Sequence, residues 1–256
     1  MIGRLAHSHE PRREADECGS AFKDSVELIS LLPDWPLACG RLRLGTGAMR
    51  PAARHKAKVL LASKLWTVLE LTDAGSPPLF APVDVTSDRL GRPLLVVADQ
   101  RIANLSFSYC DGNAWAVVSE PSWCSGIDVS QRREFGEGYP FRRVFSSAEL
   151  FHGNDMTCGD TAEAAALLWS AKEAAVKAVG WGFHFLEPRD VRLEIRGPLW
   201  IEPGCQMWAC LTAPRAMGGS RFGQVQIPVR TVRMEDCWVS VARMQNKLNG
   251  CQQLRD

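Results

Sequence analysis

The sequence lacks several patterns that identify membrane proteins and nucleic-acid-binding proteins. No apolar run approaches the roughly 20 residues that a membrane-spanning helix needs. Over 256 residues, 30 Lys and Arg oppose 29 Asp and Glu, and a net charge this close to zero provides no general attraction for nucleic acid or an anionic membrane. We therefore expect no nucleic-acid partner and no membrane partner. An anionic ligand must be held by a local site.

The motifs of several enzyme classes are also missing. The chain contains no Gly-x-Ser-x-Gly elbow, no His-Glu-x-x-His zinc motif and no phosphate-binding Walker sequence, which argues against the commonest hydrolases and nucleoside triphosphatases. The segment GTGAMR (45–50) begins like a dinucleotide-binding loop but lacks its third glycine.

The nine cysteines form no Cys-x-x-Cys pair and lie near no pair of histidines. Neither a zinc site nor a disulfide framework is therefore indicated. The first 20 residues carry charges where a signal peptide has an apolar stretch. We expect a cytoplasmic protein whose thiols are reduced and buried.

Hydrophobic periodicity predicts a mixture of helices and strands. Apolar residues recur at helical spacing over 52–71. Two capping-box patterns, Ser146 to Glu149 and Asp160 to Glu163, predict helix starts, and the second helix stops at Gly180. Together with the strands, this predicts an α+β fold with antiparallel strands. The predicted strands are 38–44, 94–98, 102–108, 114–119, 191–195, 206–212, 222–230 and 237–243.

Three segments show no sustained apolar period. Residues 1–25 are polar and are interpreted as a loose N-terminal leader. Residues 72–93 are rich in Pro, Gly, Ser and Asp, which is typical of a long surface connection. Residues 130–144 mix Gly, Pro, charged and aromatic residues, so we expect a loop there.

The predicted helix 161–179 carries an acid and a base on one face. Trp169, Glu173 and Lys177 recur every four residues, whereas Lys172 projects about 100° away from Glu173. The same spacing is typical of an exposed Glu–Lys pair that only stabilises a helix.

Asp128 ends an apolar segment and is the second candidate for chemistry. A lone aspartate at such a point is commonly a turn or cap residue. Paired with Glu173 it would provide two hard oxygen ligands, which suit Mg²⁺ because that ion takes one or two carboxylates and fills its other positions with water and phosphate. Lys172 and Lys177 would then flank the phosphates.

The segments GIDV (126–129) and WSAKEAAVK (169–177) together resemble the two signature motifs of the 4′-phosphopantetheinyl transferase superfamily. Its members move the phosphopantetheine arm of coenzyme A onto a carrier-protein serine. Three further segments resemble motifs of the larger, surfactin-synthetase-activating type: GRP (91–93), NLSFSYCDG (104–112) and RVFSSAEL (143–150).

This resemblance covers the chain from about residue 50 to 195. It implies a pseudo-two-fold pair of similar α+β halves, here residues 26–125 and 126–250, with coenzyme A bound in the cleft between them. The second half would carry the metal and catalytic motifs.

The resemblance also implies a role for each signature residue. Asp128 and Glu173 would bind Mg²⁺ at the coenzyme A diphosphate, and Ser130 occupies the place of a third ligand. Lys172 and Lys177 would hold phosphate oxygens. Glu173 would accept the proton of the carrier serine, and Lys177 would neutralise or protonate the departing 3′,5′-ADP.

A second group is expected at the nucleotide end of coenzyme A. Arg54 and Lys58 fall where the family has cationic contacts to the 3′-phosphate, although a solvated helix face explains them equally well. The whole group comprises Arg92, Pro93, Ser108, Tyr109, Arg54 and Lys58.

Two positions depart from the pattern of the larger type. Ser130 stands where an acidic residue is usual, and Tyr109 stands where a histidine is usual. Both changes remove a charge or a possible charge. They leave open the alternative of a transferase-like protein that binds coenzyme A or a carrier protein without turnover.

The acyl or peptidyl carrier proteins that this family modifies present an acidic helix beside the modified serine. The segment 131–144 combines arginines and aromatic residues, so we expect it to form the docking surface. We also expect a monomer, as is usual for the larger type. The residues of this surface are Arg132, Arg133, Arg142, Arg143, Phe135, Tyr139 and Phe141.

Overall fold

The computed structural model has an α+β fold built from two antiparallel sheets. The expected leader (1–25) and the segment 45–50 lie outside the described residues. Those residues are 26–29, 35, 37–44, 51–70, 83–88, 91–180, 182–183, 186–194, 205–211 and 225–245.

The described residues contain eleven strands and four α-helices. The helices are α1 (Pro51–Glu70), α2 (Phe141–Val144), α3 (Ser147–Met156) and α4 (Thr161–Val179), with 3₁₀ turns at Arg132–Phe135 and Pro188–Asp190. The strands are β1 (Val26–Leu28), β2 (Leu37–Arg43), β3 (Val83–Ser87), β4 (Pro93–Val97), β5 (Gln100–Cys110), β6 (Asn113–Ser119), β7 (Trp123–Gln131), β8 (Val191–Glu194), β9 (Cys205–Leu211), β10 (Val225–Met234) and β11 (Cys237–Gln245).

The first sheet has six strands in the order β1-β2-β6-β5-β4-β3. Helix α1 covers one face of this sheet and buries Leu61 and Leu65 against Leu42 of β2 and Leu105 of β5. Burying a leucine side chain contributes roughly 1.5–3 kcal/mol, so this apolar stripe holds the helix on the sheet.

The second sheet has five strands in the order β7-β11-β10-β9-β8. Helix α4 packs on it, with Ala174 and Ala178 against β7. Larger residues of the helix that are fully buried include Leu167, Leu168 and Val176. Its alanines favour the helix and let it lie close to the strands. Each sheet therefore carries one long helix, as the expected pair of halves requires.

The two sheets meet in a third apolar core. Ile127 and Val129 of β7 pack there with Trp115 and Val117 of β6. The same core contains Cys110 at the end of β5 and Cys237 at the start of β11. Strand β7 thus lies between α4 on one side and the first sheet on the other.

The structure confirms the predicted α+β class and the main helices and strands. No sequence pattern predicts β1, and β3 lies inside the segment 72–93, which the sequence predicts to be a connection. The expectation of a plain loop over 130–144 is wrong, because a 3₁₀ turn and α2 occupy most of it. Short elements of this kind have too few residues to show a hydrophobic period.

Both predicted helix starts are present, but only one is a reciprocal capping box. Ser146 and Glu149 exchange hydrogen bonds between side chain and backbone. The Asp160 carboxylate accepts hydrogen bonds from the backbone amides of Ala162 and Glu163. The Glu163 carboxylate instead accepts a hydrogen bond from the Trp238 indole. Glu163 therefore makes a tertiary contact with another element and does not complete the predicted capping box.

The predicted boundary between residues 125 and 126 falls inside β7, which belongs to the second sheet. The division into two halves as folding units stays a prediction. None of the described helices combines the length and apolar character needed to cross a bilayer.

Candidate functional site

Helix α4 lies directly against β7 because β7 has a glycine at the point of closest approach. A Cβ atom on Gly126 would lie 2.5 Å from the Ala178 backbone nitrogen and would clash even more severely with the Ala174 carbonyl oxygen. Glycine is the residue that permits such a backbone approach. The contact brings Glu173 and Lys177 of α4 toward the carboxylate that follows two residues later in β7.

The buried Asp128 carboxylate is the centre of the site. Its Oδ1 atom accepts hydrogen bonds from Lys177 Nζ at 2.7 Å and from Ser108 Oγ at 2.9 Å. Its Oδ2 atom accepts from Ser130 Oγ at 3.2 Å. Three donors from β5, β7 and α4 therefore hold this anion in one orientation, and the charged donor contributes most because charge-assisted hydrogen bonds are the strongest.

Glu173 is the second carboxylate of the site. Its Oε2 atom lies 3.8 Å from Lys177 Nζ, so the ammonium group faces both carboxylates. Burial raises the pKa of Glu173 above its ordinary value, the Lys177 charge opposes this shift, and the Asp128 charge adds to it. Such a carboxyl holds a proton more readily than an exposed glutamate does, which suits a group that accepts protons during a reaction.

The donor set fits a small divalent cation. Asp128 and Glu173 provide hard oxygen atoms that converge on a positive charge, here that of Lys177. Within the described parts of the chain, no cluster of three or more His, Cys, Asp or Glu side chains is arranged to hold a metal. Two carboxylates are nevertheless the usual protein share of a Mg²⁺ site, since water and substrate phosphate supply the other ligands.

Strand β5 joins the two sheets through the side chains of its NLSFS segment. Asn104 donates to the Trp123 carbonyl oxygen at 2.6 Å. Ser106 Oγ accepts from the Ile127 amide at 3.1 Å, and Ser108 Oγ accepts from the amide of the residue after Asp128 at 3.2 Å. Because alternate residues of a strand share a face, these three side chains form one row along β7.

The opposite face of β5 carries aromatic rings under two cations of α1. The Arg54 guanidinium lies 5.4 Å from the Tyr109 ring centroid, and Lys58 Nζ lies 5.5 Å from that of Phe107. Burial lowers the pKa of Lys58, and the neighbouring Arg54 charge lowers it further. These two cations thus form a positive patch over partly exposed rings, where an anion would relieve their repulsion.

The side chain of Arg92, which precedes β4 in the sequence, lies against the C-terminal end of α4. Its guanidinium packs against Gly180, where a Cβ atom would lie 2.9 Å from Arg92 Cζ. Gly180 ends the helix in the left-handed conformation with φ of 80°, so a cation here meets the negative end of the helix dipole. Arg92 also forms an ion pair with Asp88 at 3.2 Å. Pro93 follows as the first residue of β4.

The structure does not bring Lys172 to the Asp128 carboxylate. Its side chain is fully buried, and Nζ lies 3.0 Å from the Glu149 carboxylate. It also donates to the carbonyl oxygens of Val144 at 3.1 Å and Pro188 at 2.9 Å. The expectation that Lys172 holds a phosphate is therefore corrected. All of its described hydrogen bonds are made inside the protein, between α4 and the segments around α2 and α3.

Three contributions to this region were missed from the sequence. The sequence predicts a cap role for Glu149 and places it in the motif RVFSSAEL (143–150), but it does not show that the Glu149 carboxylate also accepts hydrogen bonds from Lys172 and from the Leu193 amide. Gly126 was noted as part of a motif without its steric role. Glu134 was not singled out, although its carboxylate accepts from the Gln131 amide at the end of β7. Contacts between distant segments leave no periodic signal in one sequence.

The expected docking surface has two kinds of arginine. Arg132 pairs with Asp160 and Arg133 pairs with Asp111, each at 2.6 Å. Arg142 is exposed on α2 beside the equally exposed Arg143. The aromatic members Phe135, Tyr139 and Phe141 pack edge to face and turn inward toward the core between α4 and the second sheet.

Part of the chain is similar to a known protein family. Residues 125–206 match the family model described as the 4′-phosphopantetheinyl transferase superfamily. The match is shorter than half of the chain, and it contains most of β7 and all of α3 and α4, with both carboxylates of the site. A comparison with curated proteins gives no match.

Proposed function

We propose that this protein transfers the 4′-phosphopantetheine arm of coenzyme A to a serine of an apo carrier protein and releases 3′,5′-ADP. The convergence of the Asp128 and Glu173 carboxylates on the Lys177 ammonium carries this proposal. The family match over the same segment supports the general class, phosphopantetheine transfer. The narrower assignment to the surfactin-synthetase-activating type rests on the resemblances at residues 91–93, 104–112 and 143–150.

Magnesium dependence is part of the proposal. Asp128 and Glu173 would hold the ion, and Ser130 would reach it directly or through water. Bound there, Mg²⁺ would neutralise the diphosphate and increase the electrophilicity of its phosphorus. Ser130 now donates to Asp128, so its first contribution is to orient that carboxylate.

The chain's own residues supply the proton transfer and the charge. Glu173 accepts the proton of the carrier serine hydroxyl, directly or through water. The serine oxygen then bonds to the phosphorus that carries pantetheine, and the bond from that phosphorus to the oxygen of 3′,5′-ADP breaks. Lys177 neutralises the negative charge that develops on this leaving oxygen. No protein nucleophile is required.

The nucleotide end of coenzyme A would lie toward β5 and α1. Arg54 and Lys58 are separated by one helical turn and already share a positive patch, which suits the 3′-phosphate. Tyr109 would offer its ring and hydroxyl in place of the usual histidine. Ser108 is committed to Asp128 and to a β7 amide, so we assign it to positioning of the carboxylate.

The carrier partner would meet the arginines of segment 131–144. Because Arg132 and Arg133 already have acidic partners, Arg142 and Arg143 are the better contacts for an acidic helix. Reversing Arg142 and Arg143 to glutamate should weaken apparent carrier affinity more than reversing Arg132 and Arg133. Equal affinity of both double variants and the unchanged protein would contradict this docking surface. The proposal includes a monomer in a cytoplasmic location.

The direct experiment measures the intact mass of purified apo acyl and peptidyl carrier proteins after incubation with this protein, coenzyme A and Mg²⁺. We expect a gain of one phosphopantetheine mass, and no gain with the Glu173→Ala variant or with a chelator. Failure of every carrier to gain mass would contradict the proposal.

The alternative of a binding protein without turnover is favoured by the neutral residues Ser130 and Tyr109. It predicts that coenzyme A binds in a calorimetric titration while no carrier gains mass. In that case the Ser130→Glu and Tyr109→His variants are the ones expected to restore transfer.

A further inference from the structure

Two cysteines from different sheets meet at the edge of the core between the sheets. Cys110 is the last residue of β5, in the first sheet, and Cys237 is the first residue of β11, in the second. Their sulfur atoms lie 3.9 Å apart. They are separated by 127 positions in the sequence, so only the packing of one sheet on the other brings them together.

The surroundings favour chemistry between these two thiols. The Gln131 side-chain amide donates to Cys237 Sγ at 3.1 Å, and Glu134 accepts from Cys110 Sγ at 3.7 Å. Hydrogen bonds from Cys110 and from Gln131 lower the pKa of Cys237, against the effect of burial. By contrast, burial raises the pKa of Cys39, a thiol in the same core, to about 12. The hydrogen bond to Cys237 and burial raise the pKa of Cys110, so within the pair Cys237 is the thiol that more readily forms a thiolate.

We propose that Cys110 and Cys237 form a reversible disulfide that locks the first sheet to the second. A disulfide needs a sulfur separation of about 2.05 Å, so the side chains must approach by roughly 2 Å. Rotation about the Cα–Cβ bonds at the ends of two strands allows such a movement. The bond closes a loop of more than 120 residues, which strongly restricts the unfolded chain.

The proposed oxidant is hydrogen peroxide, and the disulfide forms in two steps. The Cys237 sulfur attacks one peroxide oxygen, the oxygen–oxygen bond breaks, and water leaves with a sulfenic acid remaining on Cys237. The Cys110 sulfur then attacks the Cys237 sulfur and a second water leaves. Two thiols are oxidised while hydrogen peroxide is reduced to two waters. A dithiol reductant returns two electrons and two protons.

The primary test treats the purified full chain with hydrogen peroxide and maps its peptides without reduction. We expect a cross-linked pair of peptides that contains Cys110 and Cys237, with a loss of two hydrogen atoms that dithiothreitol restores. The unfolding midpoint should rise by about 5 °C or more on oxidation. Cys39→Ser should retain both effects, whereas Cys110→Ser and Cys237→Ser should lose them.

Recovery of Cys110 and Cys237 as separate oxidised or unmodified peptides from the unaltered sequence would overturn the proposal, and this result needs no variant. A cross-link without a rise in the midpoint would overturn the locking role. The test uses no coenzyme A, so its outcome is independent of the proposed transfer activity.

Discussion

Asp128 accepts hydrogen bonds from residues that lie far apart in the sequence. Ser108 comes from β5, Ser130 from β7 and Lys177 from α4. Lys177 contributes a charge that also faces Glu173. Removing the Asp128 charge therefore removes one ligand of the proposed metal site and the main partner of the Lys177 ammonium group.

Asp128→Asn should lower the transfer rate by about 10²–10³-fold, because a charge that stabilises the reacting diphosphate assembly is lost while the side-chain shape is kept. The rate is measured from the mass gain of a carrier protein under single-turnover conditions. Asp155→Asn, at an exposed position of α3, is the matched control and should keep the full rate. A normal transfer rate in the Asp128→Asn variant would show that the Asp128 charge takes no part in the reaction.

The pH dependence of the free energy of unfolding, measured in metal-free buffer, tests the environment of Glu173. Its pKa is raised from the ordinary value of 4.5, chiefly by burial, so the folded protein binds its proton more tightly than the unfolded chain does. The resulting stability is present below pH 4.5 and is lost as pH rises through the folded-state pKa. Relative to Glu173→Gln, the unaltered protein should therefore lose free energy of unfolding over this range.

Chemical denaturation of both proteins at several pH values measures the difference. Addition of Mg²⁺ should reverse it, because binding the cation requires the ionised carboxylate. A constant difference across the range, with or without Mg²⁺, would contradict the assigned environment of Glu173.

Single residues also show where sequence reasoning stops. The four-residue spacing of Glu173 and Lys177 correctly predicts that they share a face. The role of Lys172 was not predictable, since its partner Glu149 lies 23 residues away and on another helix. Helical geometry gives the direction of a side chain relative to its own helix, but not what the rest of the fold places there.

At the scale of elements, the contact between α4 and β7 positions the acid and the base. The capping residue Asp160 and the terminal Gly180 set the ends of α4, and both are readable from the sequence. The distance between α4 and β7 is set by Gly126. The identity of a glycine is visible in the sequence, but its opposing atoms are visible only in the structure.

Gly126→Ala should separate α4 from β7 and lower the stability by about 1–3 kcal/mol through overpacking. A displacement of the helix by about 1 Å would also lower the transfer rate about 10²-fold, because Glu173 and Lys177 move with the helix. Unfolding in urea and the transfer rate are measured on one preparation. Gly136→Ala, where an added Cβ meets nothing within 4 Å, is the control. Equal behaviour of the two variants would refute the close-approach role.

Lys172→Met tests the buried ion pair that fastens α4 to α3. Removal of the ammonium leaves the Glu149 carboxylate buried without its cation, so the expected loss is about 3 kcal/mol of unfolding free energy. The exposed Lys64→Met should cost less than about 0.5 kcal/mol. Below its unfolding transition, the Lys172 variant should keep a normal KM for coenzyme A. A raised KM at unchanged stability would instead indicate a direct contact with phosphate.

At the scale of the whole molecule, the site requires both sheets. The second sheet and α4 supply Asp128, Glu173 and Lys177, and the first sheet supplies Ser108 and the row of side chains that fixes β7. Hydrophobic periodicity predicts the α+β class because long elements repeat their pattern. The two sheets pack through the apolar core around Val117 and Ile127 and through polar contacts such as that of Ser106. The sequence shows which side chains of a strand share a face, but it does not show which strand of the other sheet they meet.

The most direct measurement counts both products of one reaction. A carrier protein is incubated with this protein, coenzyme A and Mg²⁺, the modified peptide is identified by mass spectrometry, and 3′,5′-ADP is quantified in the same sample. We predict phosphopantetheine on one serine and one 3′,5′-ADP released for each carrier modified, with neither product formed by Glu173→Ala. Unmodified carrier and intact coenzyme A after prolonged incubation would contradict the proposed transferase activity.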